Sequence, residues 1–342
     1  MIQQSASIRA QFQGPSRHQL EWVSSGVWDK RTLADQLLVR ATASPNAVAI
    51  IDGNARITLE GLAADALALS AALHARGLRP GDVVAFQAPN WGEAVVINLA
   101  AAMSGFVINP IVPIYRDHEV SLMLQDCGAA AFFAASSFRG FNYIEMAERL
   151  RPNLPALKHI ISVRGDGPND FAELLAEGRG LKFDRPNVDP LSAKLLLYTS
   201  GTTGRAKGVL HSHVTLQRIV RESARHWGVK DGEATLMPSP VTHISGYANG
   251  LEMPFIWGSQ TVMMESWNAQ LALSLIEEHK IVGTVAATPF LVELAAAARA
   301  ARTGLPSFRF FACGGAAVPA DLIPAANASF EISLVGAVSA VR

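Results

Sequence analysis

The chain has 342 residues, a little over twice a common domain length of about 150, so one large domain or two ordinary ones are expected. Hydrophobic residues make up 49% and charged residues only 17%, with a mean hydropathy of +0.21, which excludes a chain that is disordered throughout. Lys and Arg number 29 and Asp and Glu also 29, so the net charge of +0 offers no sequence-wide attraction for a polyanion, and nucleic acid is a poor partner.

Gln and Ser interrupt the apolar runs of the first twenty residues, so no secretory core is expected there. From Leu33 to Arg40 the pattern predicts a short helix. The runs 47–51 and 56–59 straddle Asp52-Gly53-Asn54, a hairpin signal that predicts a small β element. Leu62, Leu67, Leu69 and Leu73 predict a helix from Glu60 to about Gly77, and an Arg79-Pro-Gly-Asp82 turn leads into a strand from Val83 to Phe86. Ala94 to Tyr115 carries no charge and is long enough for a bilayer span of ~20 residues. Asn98, Gly105, Asn109, Pro110 and Pro113 punctuate it, which predicts a buried helix, a turn and a buried strand, and no transmembrane segment.

Thereafter helical stretches near 91–105, 116–126, 143–150 and 171–177 separate apolar runs at 107–111, 129–134 and 159–163, a βαβ rhythm. Residues 165–190, rich in Gly, Pro and Asp, are the expected subdomain joint. Beyond them, runs at 194–198, 261–264, 284–287 and 309–312 alternate with helical patterns at 214–226, 268–280 and 290–302. The basic stretch Arg205, Lys207, Arg218, Arg221, Arg225 and Lys230 is diluted by Glu222 and Asp231 and reads as a solvated helix face. Cys127 and Cys313 lie far apart, and no CxxC or Cys/His cluster has zinc-ligand spacing, which fits a reduced, cytoplasmic setting. His211, His213 and His226 make only a weak metal pattern, so no metal ligand is assigned. No complete GxGxxG, HExxH or GxSxG is present, which sets aside simple dinucleotide enzymes, zincins and hydrolases.

The most informative segment runs from Leu195 to Gly208, where an apolar strand opens abruptly into hydroxyls, glycines and one lysine. Gly201, Gly204 and Gly208 let backbone amides approach an anion, Thr199, Ser200, Thr202 and Thr203 supply hydroxyl donors, and Lys207 supplies a compact charge. This composition suits phosphate; a surface turn is the alternative, because the same residues make turns. It is not a Walker A loop, since Gly208 rather than Ser or Thr follows the lysine. His243 reads either as a hydrogen-bonded histidine in a packed turn or as a site residue, and the small residues after Phe310–Cys313 read either as a tight strand-end turn or as room for a flat ligand.

Tyr198-Thr-Ser-Gly-Thr-Thr-Gly-Arg-Ala-Lys-Gly208 resembles the phosphate-binding signature of the adenylate-forming (AMP-dependent synthetase/ligase) superfamily, which includes acyl-CoA and aryl-CoA synthetases, luciferases and peptide-synthetase adenylation domains. Pro238-Ser-Pro-Val-Thr-His-Ile-Ser-Gly246 and Cys313-Gly-Gly-Ala-Ala-Val-Pro319 are similar to two further family segments in the expected order. Asn109-Pro-Ile-Val-Pro-Ile-Tyr-Arg116 and Gly77-Leu-Arg-Pro-Gly-Asp82 extend the likeness, so that it runs from about Trp28 to about Ser333 and is nearest to medium-chain and alicyclic acyl-CoA ligases.

The resemblance implies an α/β fold: a layered adenylate-forming N-terminal domain with two βαβ-type subdomains, about 28–185 and 186–342, and a small β element, without the C-terminal lid domain. It implies that Thr199, Ser200, Gly201, Thr202, Thr203, Gly204 and Lys207 hold the outer phosphates of ATP, that His243 lies beside the acyl and adenylate pocket, and that Gly314, Gly315, Ala316 and Ala317 wall that pocket. It also implies a carboxylic acid, ATP, Mg2+ and CoA as reaction partners. In the family a Tyr-Gly-x-Thr-Glu segment follows the small-residue turn, whereas here the sequence reads Glu331-Ile-Ser-Leu-Val-Gly-Ala-Val-Ser-Ala-Val-Arg342. The expectation is therefore a truncated, poorly active ligase, with a noncatalytic nucleotide or acyl binder as the alternative.

Overall fold

The computed structural model describes residues 14–167, 169–199, 207–314 and 317–331, and the backbone of 338–339. The strands in chain order are β1 (Val48–Asp52), β2 (Ala55–Thr58), β3 (Val83–Gln87), β4 (Val107–Pro110), β5 (Ala131–Ala135), β6 (Ser137–Phe138), β7 (Phe141–Asn142), β8 (His159–Val163), β9 (Ala193–Thr199), β10 (Lys207–Ser212), β11 (Ala234–Met237), β12 (Gln260–Met263), β13 (Gly283–Ala286), β14 (Phe310–Gly314) and β15 (Val338–Ser339). The chain divides into two units, the first Met1–Asn46, Leu59–Pro89 and Glu93–Arg218, the second Ala47–Thr58, Asn90–Gly92 and Ile219–Arg342.

The first unit is built on the sheet β10-β9-β4-β3-β5-β8. Every pair is parallel except β9 with β10, and β3 and β5 are buried along their whole length, which is why they read as unbroken apolar runs rather than alternating ones. Helix Asp117–Cys127 ends at Gly128, whose φ of 61° is the left-handed cap that turns the chain toward β5. Helices Leu59–Ala75 and Phe171–Arg179 pack backbone to backbone: a Cβ on Gly178 would lie 1.8 Å from the carbonyl oxygen of Ala68.

The second unit carries the sheet β15-β14-β13-β11-β12-β1-β2, parallel throughout except for β1 with β2. Leu236, Val262, Ile276, Leu294, Phe308, Phe311 and Phe330 are part of its buried core. Gly283 stands opposite Phe310 in the β13–β14 register, and a Cβ there would fall 2.2 Å from the phenylalanine ring.

The expected hairpin forms as β1 and β2, and β1 also joins β12 in parallel, Ile51 opposite Val262. The uncharged stretch 94–115 resolves into helix Gly92–Ser104, a turn at Gly105 (φ 68°) and β4, as expected. Among the described residues no helix is long and apolar enough to cross a membrane. The expected division at 185/186 is not where the chain parts: β9 pairs with β4, Leu195 opposite Ile108, so residues 186–218 belong with the first unit, and the change comes inside helix His213–His226. Hydrogen bonding between strands distant in sequence outweighs the Gly/Pro punctuation that suggested the joint.

Candidate functional site

The order β12-β11-β13-β14-β15 in the second unit repeats the 2-1-3-4-5 winding of doubly wound sheets. The chain leaves β11 toward one neighbour, β12, and leaves β13 in the opposite direction, toward β14, so the crevice between the C-terminal ends of β11 and β13 is the topological switch point. Residues 238–246 run from β11 directly into that place, and the Ser239 hydroxyl donates to the Val285 carbonyl of β13 at 2.9 Å.

His243 precedes the short helix Ile244–Gly246 and is held by its own backbone: its N–H donates to Pro240 O at 2.9 Å and its C=O accepts from Tyr247 N at 2.7 Å. The imidazole is exposed, and its Nδ1 stands 3.0 Å from Ser245 Oγ, a contact that orients the ring. Although the residue is exposed overall, partial desolvation of the ring lowers its pKa below the ordinary 6.5, which favours the neutral form at pH 7 and leaves Nε2 to act as donor or acceptor according to the tautomer. Gly246 is required by space. A Cβ there would sit 2.0 Å from Pro240 O and 2.8 Å from Ser239 O, both backbone atoms. Tyr247–Glu252 continues as a π-helix, a form that recurs at functional sites, with every residue buried. Next to the imidazole, Thr242 is 2% exposed and its hydroxyl has no partner among the described residues.

Asn90, buried at 2% exposure, lies at the same strand ends. Its Nδ2 donates to Met237 O at 3.0 Å, Ser239 O at 2.9 Å and Met264 O at 3.1 Å, and its Oδ1 accepts from Val241 N at 2.9 Å. Trp91 Nε1 donates to Glu265 Oε1 at 2.6 Å, and Gly92 N donates to Asp52 Oδ2 at 2.9 Å. Three consecutive residues thus grip the C-terminal ends of β11, β12 and β1. No local sequence pattern marks these three residues; their available signal is a polar amide and a glycine shortly after the buried strand β3.

In the first unit, Thr199 closes β9 and Lys207 opens β10, and the two are cross-strand partners with the Thr199 hydroxyl donating to Lys207 O at 3.4 Å. Both side chains are exposed. Beside them Tyr198 donates to Asp126 Oδ2 at 2.5 Å; burial, with Cys127 and Asp126 nearby, pushes the phenol well above its usual range, so it remains a donor. Lys207 and Thr199 therefore stand at the two feet of one hairpin.

Of the other expected residues, Ser200, Gly201, Thr202, Thr203 and Gly204, and likewise Gly315 and Ala316, lie outside the described residues. Gly314 is the last residue of β14 and is half-buried, and Ala317 is exposed. His243 follows β11 and Gly314 ends β14, strands of one parallel sheet with β13 between them, so the two strands stand about 10 Å apart at ~4.8 Å per strand. His213 is fully buried, with Nδ1 accepting Leu33 N–H at 3.4 Å, a packing role. Among the described residues no group of three or more His, Cys, Asp or Glu could hold a metal ion.

The fold is that of the N-terminal domain of adenylate-forming enzymes. The chain belongs to the AMP-binding enzyme family, whose sequence profile matches residues 37–337. It is 30% identical over 300 residues to a medium-chain fatty-acid–CoA ligase of Escherichia coli (strain K12), covering 86% of this chain and 53% of that one. The inhibitor-bound N-terminal domain of FACL13 from Mycobacterium tuberculosis superposes with a TM-score of 0.79 at 26% identity, over 91% of this chain and 76% of that one. Apo MbtA from Mycobacterium smegmatis gives a TM-score of 0.84 at 24% identity, over 95% and 60%, and speaks for the fold alone. The chain spans about half the length of the curated relatives it matches.

Proposed function

We propose that this chain is the acid-activating part of an AMP-forming acyl-CoA ligase that works in the cytoplasm on a medium-chain or alicyclic carboxylic acid. The observation that carries the reading is the placement of the 238–246 turn at the switch point of the second sheet, in a chain of the AMP-binding enzyme family. The name of the E. coli relative supports the substrate class. The free, buried cysteines Cys127 and Cys313 agree with a reducing compartment.

A carboxylate is a poor electrophile. Its oxygen attacks the α-phosphorus of ATP, the bond to the bridging oxygen breaks and pyrophosphate leaves with the electron pair; a CoA thiol then attacks the acyl carbon and AMP departs. Catalysis of the first step lies in alignment and in neutralising charge on the phosphates. Thr199, Ser200, Gly201, Thr202, Thr203, Gly204 and Lys207 would hold the β- and γ-phosphates through hydroxyls, amides and one ammonium. His243, neutral at pH 7, would donate to the carboxylate or to the α-phosphate without transferring a proton, and Gly314, Gly315, Ala316 and Ala317 would border the acyl chain and adenine. Magnesium would arrive as MgATP, held mainly by phosphate oxygens; Thr199 and Lys207 are suited to the anion rather than to the metal.

The test is titration of the purified chain with ATP, AMP and octanoate, followed by assays of pyrophosphate and thioester release. Saturable binding of ATP and of octanoate is expected, with slow turnover, because 331–342 supplies no Tyr-Gly-x-Thr-Glu segment. Failure to bind either ligand overturns the reading.

A further inference from the structure

We propose that Asn90 is a positioning residue that fixes the 238–243 turn, and with it the placement of the His243 imidazole, at the ends of β11 and β12. A primary amide suits this place because it offers two donors and one acceptor at a single short branch. Here the Nδ2 hydrogens are shared among three backbone carbonyls, Met237 and Ser239 on the β11 side and Met264 on the β12 side, while Oδ1 takes the N–H of Val241. The bonds span the point at which β11 ends and the turn begins, and they add to the backbone bond from Met264 N to Met237 O at 3.1 Å that still joins the two strand ends. From Val241 the constraint passes to His243 through two short covalent steps and the His243 N–H bond to Pro240 O at 2.9 Å. Trp91 on Glu265 and Gly92 on Asp52 hold the neighbouring residues of the same segment, so Asn90 is delivered from a rigid support.

Alternative side chains fail for identifiable reasons. Aspartate keeps the acceptor for Val241 but turns a carboxylate oxygen toward three carbonyls. Leucine matches the size and leaves Val241 N–H without its buried acceptor. Neither change touches Thr199 or Lys207, and His243 itself is unaltered. The consequence for acid binding rests on the ligase reading; the effect on His243 does not.

The experiment tracks the ring of His243 directly. In the full chain labelled with 15N-histidine, nine histidines are present and the His243 ring signals are assigned with H243Q. At pH 7.5, Asn90→Ala and Asn90→Asp are expected to shift or broaden the His243 ring signals and to leave those of His74 in place. Unmoved His243 signals in both variants overturn the proposal, whatever happens to ligand binding. Should neither variant fold, the parent chain decides: Val241 N–H, although outside any strand, is expected to exchange as slowly as Leu236 N–H of β11, and exchange at the rate of an open loop overturns the proposal. Octanoate and tripolyphosphate titrations then separate this inference from the ligase reading. The Kd for octanoate is expected to rise about tenfold in Asn90→Ala, with that for tripolyphosphate unchanged. Shifted His243 signals in a chain that never binds octanoate would uphold the positioning role and remove the ligase reading instead.

Discussion

Gly246 passes over Pro240 so closely that a methyl group on the glycine would lie 2.0 Å from the proline carbonyl oxygen. The neighbouring atoms are backbone, held by the bond from His243 N to Pro240 O, so they cannot move aside as a side chain would. Gly246→Ala is therefore expected to cost about 1–3 kcal/mol or more, the range for overpacking a filled site. Urea unfolding measures it. An alanine variant as stable as the parent would show that the turn is loose, and with it the placement of His243.

Lys207 opens β10 opposite Thr199, and in the proposed function its ammonium would hold the outer phosphates of ATP. Lys207→Ala is expected to weaken ATP binding more than AMP binding, by about tenfold for the loss of one charge-assisted contact, because the outer phosphates are absent from AMP. Equal weakening of the two nucleotides would refute a role at the outer phosphates.

His213 is fully buried, and burial, with the Lys194 charge beside it, holds its pKa well below the ordinary 6.5. As the pH falls the unfolded chain takes up the proton before the folded chain does, so the stability present above about pH 6.5 drains away below it. One such group contributes a slope of up to about 1.4 kcal/mol per pH unit. Burial depresses His74, His159, His211 and His243 in the same direction. Urea-unfolding free energies are expected to fall from pH 7 to pH 5, less steeply in His213→Asn, which keeps an acceptor for Leu33 N–H. An unchanged slope in that variant contradicts the assignment.

Cys127 and Cys313 are both buried, and burial pushes the Cys127 thiol up to about 12. A thiol-disulfide reagent at pH 7.5 is expected to react with neither residue in the folded chain and with both after denaturation, since the thiolate is the reactive form. Rapid modification of the native protein would place one of them at the surface.

Most strands were legible in the sequence because buried parallel strands are uninterrupted apolar runs, as β3 and β5 are, and because the Asp52-Gly53-Asn54 turn marks its own boundary chemically. The composition of the Thr199 to Lys207 segment stands out for the same kind of reason, since hydroxyls, glycines and a lysine have no apolar role to fill; its role with phosphate is part of the proposal. β11 escaped notice, since Ala234–Met237 is only four residues long, and so did helix Arg17–Ser24, which buries little apart from Val23. Asn90 was invisible because its value lies in carbonyls at Met237, Ser239 and Met264, about 150 to 170 residues away, and no local pattern records a partner at that distance. The sequence by itself determined most of the strands and helices and the composition of the Thr199 to Lys207 segment, because these depend on neighbours along the chain. Only the tertiary structure decided that β1 would pair with β12, that β9 would carry residues past 186 into the first sheet, and that His243 would stand at a strand crossover. Those outcomes depend on hydrogen bonds and packing between segments that the linear order keeps apart.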